Sequence, residues 1–231
     1  MNRLIILLVF FVGLSTSLQA QYELKNKPFM DNVRFAKIMN GTYLPNNLKL
    51  SDIQGSPYLS EKFEIGQVRT PEDTVFSNIG LRYNAYSDEL EFQKGADIYN
   101  VAFKTMVKKA EFGGSTFTCR SFEVDGTKRE GFFKILAEGK ATLLVKYKIR
   151  FLDRKEVGAF TDYQPARFEE PSVQYFIAFN GHDAKMFYTK KQLLALLKDQ
   201  SGAITVYLSK NKFSLTDEQG LVKLISYYNT L

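Results

Sequence analysis

The sequence contains no tryptophan, one cysteine and one histidine in its 231 residues. The single thiol, Cys119, cannot form a disulfide within the chain, and we interpret it as a small buried apolar residue. With His182 as its only histidine, the chain lacks the residue pairs that nucleophile–base catalysis and zinc sites ordinarily use. It also has no glycine-rich phosphate loop and no calcium-loop spacing. We therefore expect no cofactor, no metal site and no common catalytic motif.

Long apolar runs are missing too, except at the start of the chain. Arg3 precedes the run Leu4–Leu14, whose eleven residues are too few to span a bilayer comfortably. Small and polar residues follow, up to Ala20. This layout is typical of a secretory signal peptide over residues 1–20, with an uncleaved N-terminal anchor as the alternative. We expect an exported protein that is periplasmic, associated with the outer membrane or extracellular, and not transmembrane.

The excess of one charge sign is small. The formal net charge is +6, and removing residues 1–20 takes away one charged residue, Arg3, which leaves +5. Such a mildly basic exported protein is compatible with anionic lipid or acidic glycan as partners, but it does not favour nucleic acid.

Aromatic residues and period-two alternation are abundant. The 20 Phe and 13 Tyr suit pleated sheets, in which rings pack across strands. Leu81 and Tyr83 alternate with polar residues, as do Leu90 and Phe92, and the short polar stretch 85–88 between them predicts a hairpin loop. Two further hairpin signals are Asp125-Gly126 and Asn180-Gly181. Repeated turn signals at this spacing predict an antiparallel meander.

The apolar period changes to that of helices after residue 188. Thr189 is a candidate N-cap for a helix over Lys190–Lys198. Residues 201–210 have strand propensity, but their apolar residues fall at helical spacing, and we interpret them as a helix. Thr216 to Gln219 predicts a capping box with Thr216 at the N-cap of a last helix.

Together these patterns predict a mainly β fold with C-terminal helices. We expect an antiparallel sheet, curled as a sandwich or partial barrel and covered by two or three short α-helices, because such helices are unstable unless they pack on a sheet. The predicted divisions are an N-terminal arm over residues 21–55, a β body over 56–188 and a helical tail over 189–231. Within the arm, residues 31–39 are interpreted as a short helix or a loosely attached segment.

Two clusters of charge are candidate sites. Glu89 and Glu91 alternate along one strand, about 7 Å apart on one face. Paired carboxylates act as acid and nucleophile in glycosidases, although a solvated strand face has the same pattern. Lys146, Lys148 and Arg150 form a cationic row on a strand predicted over Ala141–Phe151. This row either protects an edge strand from pairing or binds anionic lipid or glycan, with Tyr163 or Tyr175 as stacking partners.

Several stretches resemble a group of small exported proteins of unknown function from gram-negative bacteria. The matching stretches are Gly55-Ser56-Pro57-Tyr58-Leu59, Leu81-Arg82-Tyr83-Asn84, Glu89-Leu90-Glu91-Phe92 and the ending Leu224-Ile225-Ser226-Tyr227-Tyr228-Asn229-Thr230-Leu231. The resemblance implies export and a shared fold with a helical tail over most of residues 55–231. It implies no activity and no functional residues.

The expected function is that of a non-enzymatic envelope protein that binds a partner protein or an apolar or anionic ligand. The alternative is a hydrolase of cell-surface polymers that works through Glu89 and Glu91. A deep cleft beside the two carboxylates favours the enzyme, whereas an apolar concavity favours the binding protein.

We predict that the exported protein begins at Gln21, because the run Leu4–Leu14 and the small residue Ala20 form a cleavable signal. Intact-mass analysis of the protein recovered from the periplasm or medium measures this directly. A recovered chain that still carries Met1 would instead establish the uncleaved anchor.

Overall fold

The computed structural model describes residues 35–37, 48–157, 162–211 and 214–231. The predicted signal peptide lies outside these ranges, as does most of the predicted arm. Within the arm, Phe35–Lys37 forms a short strand, so the helix predicted over residues 31–39 is wrong for these three residues. The mainly β fold with C-terminal helices is confirmed.

The described residues form thirteen strands and three α-helices, which we number in chain order. The strands are β1 Phe35–Lys37, β2 Glu64–Arg69, β3 Val75–Asn84, β4 Glu89–Lys94, β5 Asp97–Val101, β6 Lys109–Phe112, β7 Ser115–Val124, β8 Thr127–Ala137, β9 Ala141–Lys148, β10 Phe151–Leu152, β11 Arg167–Phe168, β12 Ser172–Phe179 and β13 Lys185–Met186. The α-helices are α1 Lys190–Leu196, α2 Ser201–Lys210 and α3 Glu218–Tyr228.

Eleven of the described strands form one antiparallel sheet, curled as a half-barrel. Their order is β1-β5-β4-β3-β2-β6-β7-β8-β9-β12-β13, while β10 and β11 pair separately. The chain runs outward from β2 to β5 and then returns, so that β6 pairs with the free side of β2. The sheet therefore consists of two meanders joined at β2 and β6, as the repeated turn signals predict.

The second meander folds back on itself. Ala184, just before β13, pairs with Phe122 of β7, and its backbone N–H donates to the Ser121 carbonyl at 2.8 Å. The strands between them therefore enclose a cluster of aromatic rings. Phe133 and Phe176 meet edge to face at 4.9 Å between centroids, and Phe122 contacts both rings. This geometry favours aromatic pairs because the positive ring edge meets the negative ring face.

Strand β9 lies inside the sheet, where it pairs with β8 on one side and β12 on the other. The strand predicted over Ala141–Phe151 ends at Lys148, and Phe151 belongs to the small β10–β11 pair. The prediction of an edge strand is therefore wrong. Because β12 pairs with the whole of β9 and β8 pairs with Leu143–Val145, the strand is not an edge that charge would have to protect from pairing.

The helices cover one end of the sheet. Leu221, Leu224, Ile225 and Tyr228 of α3 are fully buried against a cluster that includes Ala141 and Leu143 of β9. At the end of α3, Asn229 donates to the Ala141 carbonyl and accepts from its N–H, at 2.9 and 2.8 Å. The apolar stripe predicted for the last helix is thus its contact with the sheet.

Two of the three predicted helix starts have the expected form. Thr189 and Gln192 make a complete capping box for α1, and residues 201–210 form α2 as predicted. The predicted cap of α3 is wrong by one residue, because Asp217 accepts the Gly220 N–H at 3.0 Å. The Thr216 hydroxyl instead contacts Ser214 at 2.9 Å. A carboxylate at this position also interacts favourably with the helix dipole, which a hydroxyl does not.

In the parts of the chain that the structure describes, no helix combines the length and apolar character that crossing a membrane requires.

We expect Asp217→Ala to lower the free energy of unfolding by about 0.5–2 kcal/mol, because it leaves the Gly220 N–H without its side-chain acceptor. Thr216→Ala is the matched control one residue away, and we expect a change within about 0.5 kcal/mol. Urea unfolding of both variants measures the difference. A larger loss for Thr216→Ala than for Asp217→Ala would restore the capping box predicted from the sequence.

Candidate functional site

Glu91 lies in a buried ion pair rather than on a solvated strand face. It is directly opposite Arg82 in the β3–β4 pairing, and its side chain is 2% exposed. Its carboxylate accepts from the Arg82 Nε at 3.2 Å and from the Asn84 amide at 3.0 Å. The Glu91 carboxylate is therefore both ion-paired with Arg82 and hydrogen-bonded to Asn84, as a buried charge requires.

Two aromatic rings and the segment before β2 cover Arg82. Its guanidinium carbon lies 3.6 Å from the Tyr58 ring centroid and 4.3 Å from that of Phe63. One guanidinium nitrogen donates to the Glu61 carbonyl at 2.9 Å. This stacking and hydrogen bonding attach residues 58–63 to β3 through Arg82.

Glu89 has a different partner. Its carboxylate is 3.4 Å from the ammonium group of Lys104, which also pairs with Asp88 at 3.3 Å. Burial raises the pKa of Glu89, and Lys104 acts against that increase. Glu89 and Glu91 thus belong to two separate ion pairs, and neither residue lines either of the two cavities described below.

The cationic row predicted on β9 does not form a single exposed surface. The Lys146 side chain is 12% exposed and its ammonium is 2.8 Å from Asp88, whereas Lys148 is exposed at the end of the strand. Arg150 lies beyond β9, where its Nε is 2.6 Å from Glu169. The three charges therefore have three different environments.

Asp88 is the centre of the buried network that holds Lys146. Its carboxylate accepts from the Tyr83 hydroxyl at 2.8 Å and from the Phe132 N–H of β8 at 3.2 Å, in addition to pairing with Lys104 and Lys146. Burial strongly raises the pKa of Tyr83 and lowers that of Lys146, while the charge of Asp88 opposes the change at Lys146. One hairpin residue thus connects β3 and β4 to β8 and β9.

Gly131 of β8 provides the space for this network. A Cβ atom at residue 131 would lie 2.6 Å from the Lys146 Nζ and 2.8 Å from an Asp88 carboxylate oxygen. Because residue 131 has no side chain, the ion pair between Lys146 and Asp88 can lie against the backbone of β8.

One cavity is an open groove of about 660 Å³ beside β7, which we call the polar groove. Cys119, Arg120 and Glu130 line it from the sheet, and His182 and Asp183 line it from the β12–β13 turn. Burial raises the pKa of Cys119 to about 12, so the thiol stays protonated at neutral pH and is a poor nucleophile. Asp183 pairs with Lys128 at 3.0 Å. The groove therefore brings the single cysteine and the single histidine to one surface without activating the thiol.

A second cavity, of about 220 Å³, has an aromatic lining, and we call it the aromatic pocket. It lies where the segment before β2 meets strands β2, β3, β6, β7, β8 and β9. Its lining residues are Leu59, Ser60, Lys62, Glu64, Arg82, Tyr83, Phe112, Gly113, Ser115, Phe117, Lys134 and Tyr147.

Three rings of the aromatic pocket pack against one another. Phe112 and Phe117 are stacked, with centroids 5.1 Å apart and planes inclined by 12°. Tyr83 packs against Phe117 at 5.0 Å. Phe117 and Tyr83 are buried, whereas Phe112 and Tyr147 are partly exposed. The pocket therefore has a rigid aromatic wall that is continuous with the core of the first meander.

Lys134 is the unusual charge in the aromatic pocket. It lies on β8 between its cross-strand partners Phe117 and Val145, so both of its neighbours in the sheet are apolar. Among the described residues, no carboxylate lies within ion-pair distance of its ammonium group, although the side chain is partly buried. Two other partly buried lysines in the described part of the chain, Lys146 and Lys104, do have such a partner.

A sharp glycine turn forms one side of the pocket. Gly113 and Gly114 connect β6 to β7 with φ values of +55° and +66°, the conformation of a two-residue hairpin turn. The Glu64 carboxylate lies against Gly113, in space that a Cβ atom would occupy. Glycine at residue 113 therefore permits both the turn and the approach of Glu64 to the pocket.

No set of three or more His, Cys, Asp or Glu side chains within the described ranges is arranged to hold a metal ion. Comparison with protein-family models, curated proteins and solved structures found no match to this chain. The resemblance to exported proteins of gram-negative bacteria stays a prediction.

Sequence reasoning missed the aromatic pocket because its lining comes from six strands that are distant in the chain. Lys134 carried one local signal, since it stands between Phe133 and Ile135 in a strand that is apolar on both faces. A lysine in such a strand must pair, bind a ligand or extend its ammonium to solvent.

We expect Lys146→Ala to lower the free energy of unfolding by about 1–3 kcal/mol, since it removes a charged partner from the partly buried Asp88. The remaining donors to Asp88, from Lys104, Tyr83 and Phe132, keep the loss below that of a fully orphaned carboxylate. Lys148→Ala, two residues along the same strand face, is the matched control with an expected change within about 0.5 kcal/mol. Urea unfolding compares the two, and equal values would show that the ion pair contributes nothing net.

Proposed function

We propose that the protein is a non-enzymatic exported envelope protein that holds a small ligand in the aromatic pocket. One observation carries the binding site: Lys134, partly buried and without a carboxylate partner among the described residues, stands beside a wall of packed aromatic rings in an open cavity. Ligand sites are concave and mostly apolar, with a few polar groups that orient the ligand. The aromatic pocket combines four Phe and Tyr side chains with six polar or charged residues, whereas no Phe or Tyr lines the polar groove.

The positions of the two candidate carboxylates support binding over hydrolysis. A glycosidase needs both carboxyl groups beside an open cleft, so that one protonates the leaving group while the other attacks or activates water. Glu91 is buried against Arg82, and Glu89 is paired with Lys104. The carboxylate-dependent hydrolase is therefore the less supported alternative, because a polymer would have to displace two ion pairs to reach these groups.

Export is part of the proposal, and its support comes from the start of the sequence. Arg3, the run Leu4–Leu14 and the small residue Ala20 have the order of a secretory signal. The resemblance to exported proteins of gram-negative bacteria points to the same compartment.

Ligand binding can be tested on purified residues 21–231 with a panel of small neutral and charged compounds of one ring or one short chain. We expect at least one compound to raise the midpoint of thermal unfolding, because a ligand that binds only the folded state stabilises it by mass action. Ser60→Trp, at an exposed residue of the pocket wall, should abolish this shift by filling the cavity. Ser51→Trp is the matched control at an exposed serine outside the pocket.

Three outcomes would overturn the proposal. A shift that survives in Ser60→Trp would place the ligand elsewhere, and the absence of any shift across the panel would leave the pocket without a function. Hydrolysis of cell-wall polymer by the wild type, lost in Glu89→Gln, would establish the enzyme instead.

A further inference from the structure

The charges around the aromatic pocket are unevenly neutralised. Four charged side chains line it: Lys62, Glu64, Arg82 and Lys134. Arg82 is already neutralised by Glu91, so its charge is not available to a ligand. Lys62 is exposed, and Glu64, which lies against the Gly113 turn, balances one of the two remaining cations. The pocket therefore keeps one net positive charge. Of its two lysines, Lys134 is the partly buried one.

The volume limits the ligand to a small molecule. An apolar cavity of about 150 Å³ holds one benzene molecule, and sites for drug-sized ligands begin at about 300 Å³. The aromatic pocket, at about 220 Å³, falls between these limits. It therefore has room for one ring with a short polar substituent, but not for a second ring or for a folded peptide.

The wall of the pocket favours a flat apolar body over a flexible chain. Phe112 and Phe117 are stacked, and Tyr83 packs against Phe117, so these rings are held in place by one another. A fourth ring added to such a cluster finds edge-to-face or offset-stacked positions without moving its neighbours. A flexible chain makes the same apolar contacts but loses more conformational freedom when it binds.

From this charge, volume and wall we propose that the aromatic pocket selects a small monocarboxylate that carries one aromatic ring. The ring packs against the wall formed by Phe112, Phe117 and Tyr83, and the carboxylate accepts a charge-assisted hydrogen bond from the Lys134 ammonium. This assignment rests on the proposed function and adds the ligand's charge and shape to it. Lys134 then gains the anionic partner that the described residues do not provide.

The test compares four probes of similar size by isothermal titration calorimetry: phenylacetate, its neutral analogue benzyl alcohol, the cation benzylamine, and hexanoate as the chain acid. We expect phenylacetate to bind tightest. Lys134→Gln should weaken phenylacetate about tenfold or more, since hydrogen bonds between charged groups are among the stronger ones. The same substitution should change the dissociation constant of benzyl alcohol by no more than about twofold, because a neutral probe makes no ion pair.

Lys148→Gln is the matched control, since it removes the same charge from an exposed position of the neighbouring strand β9. Thermal unfolding of both variants checks that each folds as the wild type does. If phenylacetate weakens equally in the two variants, the charge acts at long range and Lys134 is not its partner.

The remaining outcomes separate this inference from the proposed function. If benzyl alcohol binds as tightly as phenylacetate, the ligand need not be an anion, but the pocket is still a ligand-binding site. If hexanoate binds as tightly as phenylacetate, the pocket does not select an aromatic ring, and only that part of the inference fails. Failure of all four probes to bind would overturn the aromatic monocarboxylate, and the wider compound panel described above would then decide the proposed function separately.

Discussion

The shape of this protein depends on how one carboxylate, that of Asp88, closes the curled sheet. It sits at the tip of the β3–β4 hairpin and receives donors from Tyr83 beside it, from Lys104 after β5, and from Phe132 and Lys146 in the second meander. A partly buried carboxylate with this many donors is well satisfied, whereas each donor left alone would cost free energy. The network therefore specifies where the first meander meets the second.

The aromatic pocket is a consequence of that closure. With the β3–β4 hairpin held against β8 and β9, Tyr83 of the first meander reaches Phe117 of the second. The helices pack on the Leu143 end of β9, while Tyr147 lies further along the same face. Burial raises the pKa of Tyr147, and Glu218 at the start of α3 raises it further. The residues that line the cavity come from the segment before β2, from the strands of both meanders and from the β6–β7 turn.

Most charges with candidate functional roles contribute to the fold instead. Glu91 and Arg82 form a buried pair that attaches residues 58–63, and Glu89 and Lys146 belong to the network around Lys104 and Asp88. Such pairs add orientation more than net stability, because desolvation offsets much of the attraction between the charges. Lys134 differs in that the described part of the chain contains no carboxylate paired with it, which is why the proposed ligand is anionic.

The sequence by itself determined the mainly β class, the hairpins at 85–88, Asp125-Gly126 and Asn180-Gly181, and the three helices, one of them with its N-cap at Thr189. These features depend on contacts between residues a few positions apart, and period and turn chemistry encode such contacts directly. The cap of α3 shows the limit of this encoding, since Thr216 and Asp217 are both good cap residues, and the path of the chain into the helix selects between them.

Only the tertiary structure decided which charged residues are buried in ion pairs and which can contact a ligand. Alternation assigns Glu91 and Lys146 to a polar face of their strands. It does not show that Glu91 pairs with Arg82, which Tyr58 and Phe63 cover, or that Asp88 at the hairpin tip pairs with Lys146. The aromatic pocket has the same origin, because its wall joins strands separated by dozens of residues. A period of two gives the face on which a side chain lies, whereas burial depends on which distant segment packs on that face.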